Sequence, residues 1–296
     1  MVKIVWKTER IGKNVIAVDV PFVSGNVYSF LMTSDHHWDN PKCQRDLLER
    51  DHKLAVERGM GIFSFGDLFC VMQGKGDRRH SKGDLREEHK RGHYLDAVVD
   101  TAVDWYAPYS ENYIMMSDGN HETAIKKHHE TDLLERLTTA LKYTAKHDIE
   151  KMPYSGWVFF RFRHPKTNKV VKTVKLFYTH GYGGGGPVTK GVIQAQRKAV
   201  FQPDANLIYS GHIHESWLYP IMRERITIQG RTYIDEQTHI CLPTYKEEYL
   251  GGSGFHVEKG RPPKPLGGWI LNFKCVTTDV QKMVRIKHER TNDAVF

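Results

Sequence analysis

Five stretches of this chain place side chains able to bind a divalent cation directly after short apolar runs. Asp35 and His37 follow residues 27–32, Asp67 follows 61–65, Asn120 and His121 follow 113–116, His180 follows 174–178, and His212 and His214 follow 207–209. Imidazole nitrogen, carboxylate oxygen and amide oxygen together suit Mn, Fe, Co, Ni or Zn, whereas an all-oxygen set would suit Mg or Ca. Apart from His121, these donors are still too many for one ion. Two ions sharing a carboxylate fit better, and Asp67 is the natural bridge because each of its oxygens can take one ion. The chemistry implied is in-line hydrolysis at phosphorus, in which two metals roughly 3.5 to 4 Å apart stabilise the attacking and leaving oxygens.

The elements that must position these residues follow from the same runs. Apolar stretches this short, bounded by Gly, Asp and Ser, predict buried strands, and side chains just past their ends can meet at one sheet edge. Helices are expected over 42–58, 84–106 and 121–144, the last with Leu133, Leu134, Leu137 and Leu141 at helical spacing. Strands alternating with helices predict a layered α/β fold. Beyond residue 150, strands are expected at 156–162, 170–177, 225–229, 231–234 and 269–273, forming a second, largely antiparallel sheet. The Gly- and Pro-rich stretch 251–268 predicts an irregular loop. Because the metal-type residues lie on both sides of residue 150, a single domain over 1–296 is expected. It would carry its catalytic motifs at 35–214 and its C-terminal strands and a lid loop at 215–296.

Taken in order, D-x-H, G-D, G-N-H-E, H-G and G-H-x-H resemble the ordered signature of the calcineurin-like metallophosphoesterases, across residues 35 to 214. The resemblance implies a four-layer α-β-β-α sandwich of two mixed sheets, with a dimetal site at the C-terminal ends of the strands. It implies that Asp35, His37 and His214 hold the first metal, that Asn120, His180 and His212 hold the second, and that Asp67 bridges them. It further implies a bridging hydroxide as nucleophile, with His121 as general acid or transition-state stabiliser. Manganese is the expected ion, with Fe, Zn, Ni or Co as alternatives.

The chain departs from the protein Ser/Thr phosphatases that share this signature. They carry an Arg directly before G-N-H-E, where this chain has Asp118, and they extend the second motif to G-D-x-x-D-R-G, where it reads Gly66-Asp67-Leu68-Phe69-Cys70. The carboxylate that would orient the catalytic His is therefore absent from the motif. These departures favour a phosphodiesterase or nuclease over a phosphomonoesterase acting on nucleotides or phosphoproteins. A non-catalytic scaffold that kept the fold is the contrasting class, disfavoured because every ligand position is filled.

Composition narrows the setting. Forty-three Lys and Arg against 35 Asp and Glu give a net charge of +8, which favours polyanionic partners, nucleic acid among them. The four cysteines are scattered with no C-x-x-C pairing, which argues against a zinc knuckle or a disulfide framework. No apolar run reaches membrane-spanning length and the N-terminus is charged, so a cytoplasmic location without membrane contact is expected. The basic segment 74–91 makes Arg78 and Arg79 candidates for substrate phosphates, although such charge runs more often form a solvated loop and helix start. Four glycines at 183–186 remove side chains beside His180, and Lys190 and Arg197 just beyond are further phosphate candidates. Residues 245–249 and the 251–268 loop are expected to form the lid, with aromatic rings that could stack on a base.

Overall fold

The structure, a computed structural model, describes residues 5–71, 85–186, 188–252 and 255–294. Its strands are β1 (Lys7–Gly12), β2 (Val15–Pro21), β3 (Val27–Thr33), β4 (Gly61–Phe65), β5 (Tyr113–Ser117), β6 (Glu150–Met152), β7 (Ser155–Arg163), β8 (Val170–Thr179), β9 (Leu207–Ser210), β10 (Trp217–Ile226), β11 (Thr232–Cys241), β12 (Trp269–Thr277) and β13 (Lys282–Arg290). The helices are α1 (Arg45–Glu57), α2 (Tyr94–Tyr106), α3 (Asn120–His129), α4 (Leu133–Ala145), α5 (Ile193–Phe201) and the short α6 (Phe255–Glu258).

Two mixed sheets result, ordered β1-β2-β7-β8-β9-β11-β10 and β13-β12-β3-β4-β5-β6. Alternation within β7 turns Val158, Phe160 and Phe162 inward, where they meet Phe30, Phe63 and Phe65 of the facing sheet and Phe273 of β12. This aromatic layer is the core of the sandwich, and each buried ring contributes on the order of 1.5–3 kcal/mol. β4 is buried along its whole length because it has neighbours on both faces. Phe63 and Phe65 enter the inter-sheet core, while Ile62 joins Leu48, Val98, Ala102, Leu134 and Leu137 under α1, α2 and α4. Helices thus cover the six-stranded sheet. The outer face of the other sheet is covered thinly, by α5 and the chain following it, with Phe177, Ile208 and Ala205 packed there.

Three expectations are corrected. The C-terminal half does not form its own sheet: β2 runs parallel to β7 from Val15↔Trp157 to Pro21↔Arg163, and β12 joins the first sheet half through Trp269↔Met32. The 121–144 helix is two helices. Glu130 adopts a left-handed conformation that ends α3, and Asp132 accepts the Glu135 N–H (3.0 Å) to start α4. The 84–106 helix is a short 3₁₀ turn, Glu87–His89, followed by α2, with Gly92 between them. No described helix is long and apolar enough to cross a membrane.

Candidate metal centre

Strands β3, β4, β5, β8 and β9 all end at one edge of the sandwich, and their C-terminal ends deliver the predicted residues there. The connecting loops are knitted together by the backbone. Asp35 N–H donates to the Gly66 carbonyl (3.0 Å), His37 N–H to that of Asp67 (3.0 Å), and Gly211 N–H to that of His180 (2.8 Å). Close approach makes two glycines obligatory. A Cβ on Gly119 would lie 2.1 Å from Asp67 Oδ1, and one on Gly211 would lie 2.4 Å from Asp35 Oδ2.

The side chains gather in two groups, Asp35 with His37 and His214, and Asp67 with His180 and His212. In the first, Asp35 Oδ1 lies 3.2 Å from His214 Nε2 and 3.9 Å from His37 Nε2, and those two nitrogens are 3.3 Å apart. Asp35 Oδ1 is fully buried and has no hydrogen-bond partner, while Oδ2 accepts the His212 N–H (2.9 Å). In the second, Asp67 Oδ2 lies 3.1 Å from His180 Nε2, and Asn120 Oδ1 lies 3.1 Å from His180 Nε2 and 2.7 Å from His212 Nδ1. The His180 Nδ1–H donates to the Phe65 carbonyl (2.8 Å), which turns Nε2 toward the cluster.

Electrostatics describe the same place. Burial disfavours a charged His180, but Asp67 and Asp35 outweigh it and raise its pKa to about 10. Burial alone would raise Asp67, yet His180 and His121 hold it well below the usual carboxylate range. Burial, with Lys246 and His121 nearby, pushes His37 well below the ordinary histidine value. Buried carboxylate oxygens and imidazole lone pairs converging at about 3 Å are spaced as ligands on a transition ion, whose bonds to N and O are about 2.0–2.2 Å. The donor set therefore fits divalent cations.

His121 stands at the rim, partly exposed. Its Nδ1–H donates to the Cys70 carbonyl (2.5 Å), and its Nε2 is 3.6 Å from Asp67 Oδ2. The group that orients it is thus a backbone carbonyl, which no side-chain motif announces. Two further carboxylates brace the loops. Glu122 accepts the backbone N–H groups of Asp67 (3.1 Å), Phe69 (3.0 Å) and Gly119 (2.8 Å), and Asp39 accepts those of Cys70 (2.5 Å) and Val71 (2.8 Å). Glu122 was visible in G-N-H-E but without a partner, and Asp39 carries no local signal.

Other predicted residues fall elsewhere. Arg78 and Arg79 lie outside the described residues. Lys190 is exposed in the turn before α5, and Arg197 is exposed on α5 itself, where the neighbouring Lys198 is the buried cation. Asp118 pairs with Lys126 (2.6 Å). His36, between two predicted ligands, faces the helical layer and pairs with the Tyr106 hydroxyl (2.9 Å). Tyr245, expected in a lid, is instead fully buried, and its hydroxyl donates to Asp51 Oδ2 (2.8 Å).

The two face-to-face sheets and the cluster at their strand ends agree with what the motifs' resemblance to the calcineurin-like metallophosphoesterases implies. Among solved structures the chain is similar to vacuolar protein sorting 29 from Cryptosporidium parvum, at 11% identity and TM-score 0.36, covering 90% of this chain and 99% of that one. It is similar to a predicted phosphoesterase from Streptococcus pneumoniae TIGR4, at 9% identity and TM-score 0.33 over 88% and 99%. It is also similar to GAP50 of Plasmodium, at 11% identity and TM-score 0.43 over 89% and 88%. No protein-family model and no curated protein matches the sequence. At these identities and scores the family resemblance rests on the motifs and their placement.

Proposed function

We propose that the chain is a dimetal-dependent phosphoester hydrolase, built as one unit over its length and acting on phosphodiesters, with nucleic acid as the favoured substrate class. The observation that supports it is the convergence of Asp35, His37 and His214 beside Asp67, Asn120, His180 and His212 at one strand edge. On this reading the first three hold one ion, Asn120, His180 and His212 hold another, and Asp67 reaches both. Such ions, manganese foremost, would supply an activated water and draw charge from the phosphoryl oxygens. The protein's part is geometric. The Phe65 carbonyl fixes the His180 ring, Glu122 fixes the Asp67 loop, and the Cys70 carbonyl aims His121 Nε2 toward the cluster. From there His121 can pass a proton to the leaving oxygen.

The diester preference is supported by what stands beside the centre. A monoester carries two charges and profits from a fixed guanidinium, but the position before G-N-H-E is Asp118, engaged with Lys126. Nearby Arg45 and Arg86 donate to the backbone carbonyls of Trp38, Asn40 and Cys43. Manganese-supported hydrolysis of bis(p-nitrophenyl) phosphate should exceed that of p-nitrophenyl phosphate. The reverse order would turn the reading toward monoesters.

A further inference from the structure

One sulfur ligand at the centre has no part in the proposed mechanism. Cys70 sits three residues after Asp67 in the loop whose backbone Asp39 and Glu122 clamp, and its thiol is buried. Ligand atoms of Cys70, His37 and His121 all lie within 4.8 Å of one another, and the two imidazole rings have centroids 5.0 Å apart. His37 Nδ1 is buried and has no hydrogen-bond partner. Asn40 Nδ2 donates to Cys70 Sγ (3.4 Å), while burial pushes the thiol's pKa up to about 12 despite the nearby Lys246 ammonium, itself 2.9 Å from Glu248.

The geometry points to a second metal site, a Cys70/His37/His121 trap for thiophilic cations such as zinc. Tetrahedral zinc, with Zn–S about 2.3 Å and Zn–N about 2.0–2.1 Å, spaces its ligands somewhat more closely than 4.8 Å, so small ring rotations would close it. Binding exchanges the thiol proton, released to solvent, for the cation. Manganese gains little from a thiolate, so the site discriminates by ligand softness. It also competes with catalysis, because it takes His37 from the first ion's group and His121 from its place at the rim. Zinc in excess should therefore inhibit manganese-supported turnover. That consequence rests on the dimetal reading, whereas the trap itself does not.

Cobalt(II) titration of the metal-free protein tests this. The wild type should develop near-ultraviolet thiolate-to-cobalt charge-transfer absorption together with visible d–d bands. Cys70→Ser should lose the charge-transfer absorption and keep d–d bands, which also reports that the variant is folded. Cys70→Ala serves as the second variant. In manganese-supported diester hydrolysis, half-inhibition of Cys70→Ser should need about tenfold more zinc than wild type, or beyond. Visible bands with no charge-transfer absorption in the wild type, or charge-transfer absorption retained in Cys70→Ser, would overturn the trap and leave the dimetal reading standing. No cobalt absorption of either kind would overturn both.

Discussion

Asp35, His37, Asp67, His212 and His214 all have positive φ, between 46° and 72°, a region that costs a residue with a side chain about 1–3 kcal/mol. The loops hold them there through backbone hydrogen bonds to one another, so the donor atoms are aimed before any ion arrives. His121 differs, because its backbone N–H is fixed by Asp67 Oδ1 (3.0 Å) while its ring reaches the rim. His121→Ala should leave the metal content unchanged and lower kcat by about 10²- to 10⁴-fold on a diester with a poor leaving group. Full activity on such a substrate would remove its acid role. The donor residues were legible in the sequence because each follows its own strand within a few positions. The braces were not. Glu122 and Asp39 act on backbone groups from the Asp67 loop, 53 and 31 residues away for Phe69 and Cys70, and no local pattern encodes such a contact.

At the scale of elements, apolar runs announced the strands but could not assign their partners. β2 pairs with β7 across more than a hundred residues, a choice made by the inter-sheet core into which Ile16, Val18 and Val20 pack. The break between α3 and α4 was legible in retrospect, since Asp132 and Glu135 have the spacing of a helix start. Helix α1 meets the sheet layer through His52, which is fully buried. Its Nδ1–H donates to the Leu48 carbonyl (2.7 Å), and its Nε2 accepts from the Tyr113 hydroxyl (2.7 Å). Burial, opposed in part by the Leu48 carbonyl, lowers its pKa from 6.5 to about 4. The neutral ring's stabilisation is therefore fully present above pH 6.5 and is lost as pH falls toward 4, where it would total roughly 3 kcal/mol. Urea unfolding at pH 7.5 and pH 5 should show His52→Gln losing about 2 kcal/mol less than wild type on acidification. Equal losses would contradict this assignment.

At the scale of the whole molecule, the site opens at one edge of the sandwich and the chain carries a net charge of +8. If nucleic acid is the substrate, cations distributed beyond the metals must hold its non-reacting phosphates, and each contact adds about −0.9 to the log–log salt slope for duplex DNA. Raising salt from about 50 to 200 mM should then lower kcat/KM for DNA or RNA by roughly tenfold or more, while bis(p-nitrophenyl) phosphate changes little. Equal salt dependence would favour a small diester.

A two-ion centre bridged by Asp67 predicts a definite metal stoichiometry. The most direct measurement counts manganese per chain after dialysis, alongside diester hydrolysis, in wild type and Asp67→Ala. Two ions with hydrolysis in the wild type, and loss of at least one ion with loss of turnover in Asp67→Ala, are the predicted results. A wild type that holds fewer than two ions while hydrolysing diesters, or an Asp67→Ala chain that keeps both ions and full activity, would rule out a two-ion centre bridged by Asp67.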